Sequence, residues 1–160
     1  MNFTEKQKQA IEILRRENFE PQDFFRSDTA TKMGITNLPE TESEAQIVIK
    51  NLMVVADKIQ QIRNLLGCPI KINSAYRCEK LNKAVGSKGV SQHLKGEAVD
   101  FVSPSFGNPA AIFTYLIKNK IEVDQCLMEV NWIHLSIKSS NNRNSFGKLI
   151  GGTYTPINNI

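Results

Sequence analysis

The chain has 160 residues, 41% hydrophobic and 22% charged, and its 20 Lys and Arg against 16 Asp and Glu leave a net charge of +4. One globular domain with a core of useful size is expected. No apolar run approaches a membrane span, and no dense Lys/Arg run marks a nucleic-acid arm. The mild positive excess still suits an anionic partner such as a bacterial cell wall or nucleic acid, and does not choose between them. Taken in chain order, residues 4–18 read as a helix, with Thr4 and Gln7 as a capping-box pair and Ala10, Ile11 and Leu14 on one side. Residues 19–40 carry Pro21, Gly34 and Pro39 as punctuation and complete a helical lead-in over 1–40.

The strongest helical pattern covers 42–66. Thr41 and Glu44 form a second capping-box pair, and Val48, Leu52, Val55, Ile59, Ile62 and Leu66 repeat at spacings of four and three. Gly67 stops this helix and Pro69 prevents its return. Residues 69–75 alternate like a strand, 78–85 suit a short helix closed by Gly86, and 86–91 form a loop. Another strand is expected over 97–103. Asn108 then caps a helix with Pro109 in its first turn. Residues 123–128 and 132–138 read as two strands joined by a tight turn. The tail, 141–160, is expected to add an edge strand around 148–154 or to be partly mobile. Helices first, then mixed strands and helices, indicate an α+β fold in one domain, 1–160.

The chain contains only two histidines, His93 and His134. Asp100 follows His93 by seven residues, and Gly96 with the run Ala98-Val99-Asp100-Phe101-Val102 argues for a loop and then a strand. Alternation puts Asp100 opposite the core-facing Val99 and Phe101, and His134 opposite Ile133 and Leu135. The small Ala98 leaves room beside the carboxylate, and Gly96 permits a sharp entry or a close backbone approach. Two imidazoles and one carboxylate would then point into one cleft. Such a set holds catalytic zinc with a position open for water. A lone strand histidine is more commonly a packed or surface side chain, so the reading rests on all three residues converging.

The order Ser74-Ala75-Tyr76-Arg77, Leu81-Asn82, Val85-Gly86, Ser91-Gln92-His93-x-x-Gly96-x-Ala98-x-Asp100 and Trp132-x-His134-x-Ser136 resembles the zinc D-alanyl-D-alanine carboxypeptidase family. These are metallopeptidases that cleave peptidoglycan, many of them phage lysins or bacterial wall enzymes. The likeness runs from about Phe24 to Ser136 and takes in Asn37-Leu38-Pro39. It implies a compact fold shared with the hedgehog signalling domain, with a small antiparallel sheet carrying the zinc and packed against helices. It also implies one Zn2+ per chain, held by His93, Asp100 and His134. Relatives place an acid shortly before the second metal histidine, often three residues ahead; that position here is Asn131, which cannot act as a base. Glu129, five residues ahead, is the candidate base if a turn at Val130-Asn131 swings it over the metal, with Asp124 and Glu122 as substitutes. Arg77 matches the family arginine that faces substrate, suited to clamp a carboxylate or steady an oxyanion. Tyr76, Ser74, Gln92 and Trp132 are candidate substrate or cleft residues, each with a purely structural role as the alternative.

No third histidine remains to activate Cys78, and no Gly-x-Ser-x-Gly elbow or phosphate-binding glycine loop appears. Cys68, Cys78 and Cys126 lack metal-knuckle or redox spacing and are expected as reduced, partly buried thiols. The opening residues carry no apolar signal core, so synthesis in the cytoplasm is expected, with action at the wall depending on phage-type release. The expected activity is therefore zinc-dependent hydrolysis of peptide bonds in peptidoglycan stems or crossbridges by a monomer. The alternatives are a zinc-containing wall-binding module without turnover, or a phage tail component.

Overall fold

A computed structural model describes residues 3–87 and 90–157. Lys88 and Gly89, inside the loop expected over 86–91, and the last three tail residues lie outside the described residues. Helix α1 (Glu5–Ile11) begins at the Thr4 capping box, in which Thr4 Oγ1 accepts from the Gln7 amide and Gln7 Oε1 from the Thr4 amide. It is shorter than expected. A 3-10 turn takes over at Glu12–Leu14, and Arg16 and Phe19 then pair backbone to backbone and reverse the chain. The lead-in continues through a 3-10 turn at Pro21–Phe24 and helix α2 (Asp28–Met33), capped by Ser27.

Helix α3 (Glu42–Leu66) has the limits its pattern predicts, and Val48, Leu52, Val55, Ile59, Ile62 and Leu66 are all buried. Each such side chain stabilises by about 1.5–3 kcal/mol on burial. Thr41 Oγ1 accepts from the Glu44 amide, but the expected return bond is not made. The Glu44 carboxylate accepts instead from the Glu40 amide and the Tyr76 hydroxyl. Gly67 ends the helix in the left-handed region at φ 65°, where a side chain would be strained.

Six strands follow: β1 (Lys71–Ser74), β2 (Ala98–Val102), β3 (Gln125–Met128), β4 (Ile133–Ser136), β5 (Ser145–Ile150) and β6 (Thr153–Pro156). Helix α4 (Glu79–Ala84) lies between β1 and β2, and α5 (Pro109–Lys118) between β2 and β3. The strand order is β1-β2-β4-β3-β5-β6. The strands that carry Asp100 and His134, in the run β1-β2-β4-β3, pair antiparallel as expected, and β5 joins β3 in parallel, which extends the sheet into a mixed one. The tail that was expected to add one edge strand folds into the β5–β6 hairpin.

Cross-strand registry sorts the side chains into rows. Val99, Leu135, Cys126 and Phe146 form one row, buried in the core, and Phe146 packs edge-on against Phe113 of α5. The next row runs Ser74, Asp100, His134, Leu127, Gly147, Pro156 across the whole sheet. That row carries the polar chemistry, and the alternation read from β2 and β4 is what separates it from the core.

Candidate metal centre and active-site cleft

Asp100 and His134 are direct cross-strand partners, so the sheet itself brings carboxylate and imidazole together. His93 arrives from a 3-10 turn, Gln92–Lys95, capped by Ser91. Gly96 ends that turn at φ 72°, and a Cβ there would stand 2.9 Å from the Val48 carbonyl of α3. The missing side chain thus seats the turn directly on the long helix, which fixes where His93 can reach. His93 Nδ1 lies 2.6 Å from the Ala75 carbonyl, and the His93 carbonyl accepts from the Arg77 amide. A carbonyl only accepts, so Nδ1 carries the proton and Nε2 keeps a lone pair.

That Nε2 is buried without a hydrogen-bond partner, 3.3 Å from Asp100 Oδ1. The same oxygen lies 2.8 Å from His134 Nδ1. One donor atom from each of His93, Asp100 and His134 falls within 4.8 Å of the others. Zinc bonds to such ligands run about 2.0–2.2 Å, so atoms sharing an ion lie at most about 4.4 Å apart, and the 3.3 and 2.8 Å separations of the two imidazole nitrogens from Asp100 Oδ1 fall inside that limit. A lone pair facing a carboxylate in a buried site calls for a cation, and the residues present fit one. Burial holds the His93 imidazole below its usual range against the pull of Asp100, which favours the neutral, ligating form. Burial alone would raise Asp100, but His93, His134 and their contacts outweigh it and hold the carboxyl far below the usual range.

Arg77 serves the carboxylate more than the open cleft. Its Nη2 donates to Asp100 Oδ2 at 3.0 Å and its Nε to Ser74 Oγ at 3.0 Å. This leaves Asp100 Oδ1 for the imidazoles, while Arg77 Nη1 is only weakly held, 3.5 Å from Asn82 Oδ1. Glu129 opens a turn whose amide donates to the Trp132 carbonyl. The turn at Val130-Asn131 brings Glu129 onto the cleft that His93, Asp100, His134, Arg77 and Trp132 also line. Burial first, then the charge of Asp100, push the Glu129 carboxyl above its usual range. The Trp132 indole Nε1 is buried without a partner in hydrogen-bonding geometry, yet it is near enough to Glu129 to oppose that rise.

The remaining candidates separate. Ser74 supports Arg77. Tyr76 points away from the cleft: its ring packs against Phe25 and its hydroxyl donates to Glu44 Oε1. Gln92 donates to Asp124 Oδ2 and does not line the cleft. Asp124 is fully buried and bound by Arg143, Ser136 and Gln92, so it has no freedom to act as a base, and Glu122 is exposed outside the cleft. The three cysteines are free thiols, two of them buried.

One residue earns a role that its sequence pattern did not announce. Asn37 is fully buried; its Nδ2 donates to the Phe25 and Tyr76 carbonyls, and its Oδ1 accepts from the Cys78 amide. It ties the lead-in to the segment that presents Arg77 and the Ala75 carbonyl beneath His93. Its only sequence signal was membership of the Asn37-Leu38-Pro39 motif. Leu127 and Leu149 supply an apolar cleft wall that sequence reading also missed.

Comparison with curated proteins finds no significant match. Among family models, the one described as peptidase M15 matches residues 17–136, which span all three candidate metal ligands, Glu129 and Arg77. Peptidases of this family are metal-dependent hydrolases, in keeping with the buried His-Asp-His cluster. The match covers most of the chain, and the chain belongs to the peptidase M15 family.

Proposed function

We propose that the protein is a zinc-dependent peptidase that hydrolyses peptide bonds in peptidoglycan stems or crossbridges. The observation that carries this reading is the unpartnered, buried Nε2 of His93 facing Asp100 Oδ1, with Glu129 on the same cleft. His93, Asp100 and His134 would hold the ion. Zinc in such a site activates water near neutral pH and polarises the scissile carbonyl. Glu129 takes the proton from the attacking water and returns it to the leaving amine. Its raised pKa suits both halves of that task, because a base with a pKa nearer the working pH also gives its proton up more readily. Arg77 holds Asp100 in its ligating orientation, and its weakly held Nη1 is the donor available to a substrate oxygen.

The net positive charge favours approach to an anionic wall, where we place the protein's action. The test is release of new amino groups from purified peptidoglycan by the zinc-loaded protein. Release should stop with chelator and fall by roughly 10²–10⁴-fold in Glu129→Gln. Bound zinc without release across several wall chemistries would leave a binding module in place of an enzyme.

A further inference from the structure

The metal cleft does not end at the metal. Arg77 and Val85 line it on one side, and the same two residues line a second cavity that runs on to Arg26, Lys71 and Asn73. Arg77 and Val85 therefore stand between the two cavities and border both. On the other side the cleft reaches Leu127 and Leu149. Leu149 is the cross-strand partner of Tyr154, and Leu127 the partner of Gly147. A Cβ on Gly147 would fall 2.4 Å from the Tyr154 ring, so that ring lies against bare backbone on the cleft face. Tyr154 is nonetheless 46% exposed. An aromatic ring seated on a glycine and still open to solvent is a contact surface whose ordering cost has largely been met by folding.

Taking the catalytic reading above as given, we infer that the β5–β6 hairpin is a distal substrate subsite, with Leu149 and Tyr154 holding apolar side chains of an extended peptide whose cut bond lies within the chain. From β4 to β6 the sheet advances three strand spacings, about 14 Å, which an extended peptide covers in about four residues. A dipeptide bound at the metal would not reach Tyr154 on β6. A stem peptide or crossbridge crossing the sheet would touch it while its other end passed Arg77 towards Lys71. The partner chemistry follows from the surface: apolar side chains against Leu149 and the Tyr154 ring face.

The chain has a single tryptophan, Trp132, and it lines the cleft, so its fluorescence reports occupancy without turnover. Glu129→Gln protein with added zinc is titrated with an N-acetylated, C-amidated hexapeptide of stem composition and, separately, with D-alanyl-D-alanine. The hexapeptide should bind at least tenfold more tightly. Tyr154→Ala should narrow that ratio several-fold, and Tyr154→Phe should restore it, since the ring face and not the hydroxyl makes the shelf. Thermal melts confirm that both variants fold. Equal binding of the two ligands, or a ratio indifferent to Tyr154→Ala, overturns the subsite. Mass spectrometry of wild-type digests separates this inference from the catalytic reading. Cleavage that releases only terminal residues keeps the peptidase and removes the subsite. No cleavage at all removes the peptidase, and the binding ratio still decides the subsite.

Discussion

Two buried aspartates occupy this sheet region, and they are built in opposite ways. Asp124, at the entry to β3, is fully satisfied. Its Oδ1 accepts from the Arg143 amide and Nε, and its Oδ2 from Arg143 Nη2, Gln92 Nε2 and Ser136 Oγ. Asp100, on β2, is held by Arg77 and His134 but faces the unpartnered Nε2 of His93 and opens onto a cleft. The first arrangement pins the entry to β3, the end of β4, the start of β5 and the His93 turn to one another. The second is incomplete as it stands, and a cation would complete it. A buried carboxylate with every neighbour paired marks architecture; one that faces an unpartnered imidazole nitrogen beside a cleft is a candidate for chemistry.

The contrast can be broken by substitution. Asp124→Ala removes the acceptor from the buried Ser136 hydroxyl, the half-buried Gln92 amide and the exposed Arg143, and should cost about 3 kcal/mol in chemical denaturation, while molecules that remain folded still bind metal. The wild-type acid limb gives the same information. Burial would raise the Asp124 carboxyl, but Arg143 and its neighbours hold it well below its ordinary value of 3.8. The unfolded chain therefore takes up the proton first, and the stability that Asp124 contributes is lost as pH falls below about 4. Asp124→Asn should flatten that limb. A smaller effect is expected at the turn that delivers His93. Gly96→Ala combines a left-handed backbone with a 2.9 Å clash on the Val48 carbonyl. It should cost about 1–3 kcal/mol and, by shifting His93, weaken metal affinity roughly 10–100-fold. The smallest effect is at Glu129. Its raised carboxyl means the metal-free protein loses stability as pH rises from about 4.5 through the folded value. Glu129→Gln should remove that loss and leave the metal-free protein slightly more stable at neutral pH, as read by pH-dependent thermal melts.

Helix α3 was legible to the residue because a 3.6-residue apolar repeat and a terminating glycine are local signals. The meeting of Asp100 and His134 was legible because period-two alternation put each on the face opposite its core-facing neighbours. Glu129 was readable only as a turn-dependent possibility, and the turn closed by its amide on the Trp132 carbonyl settles where it sits. What stayed hidden depends on long-range pairing. Arg77 and Asp100 are 23 residues apart, Gln92 and Asp124 32 apart, and Asn37 and Cys78 41 apart. No periodicity encodes those meetings. The parallel docking of β5 on β3 is of the same kind, and with it came the apolar wall at Leu149.

The most direct test is titration of metal-free protein with Zn2+ by calorimetry, alongside His93→Ala, Asp100→Ala and His134→Ala. One ion per chain, lost or greatly weakened in all three variants while Asp124→Asn binds as wild type does, is the predicted result. No saturable binding to the wild-type chain, or unchanged binding in the three variants, would contradict the account.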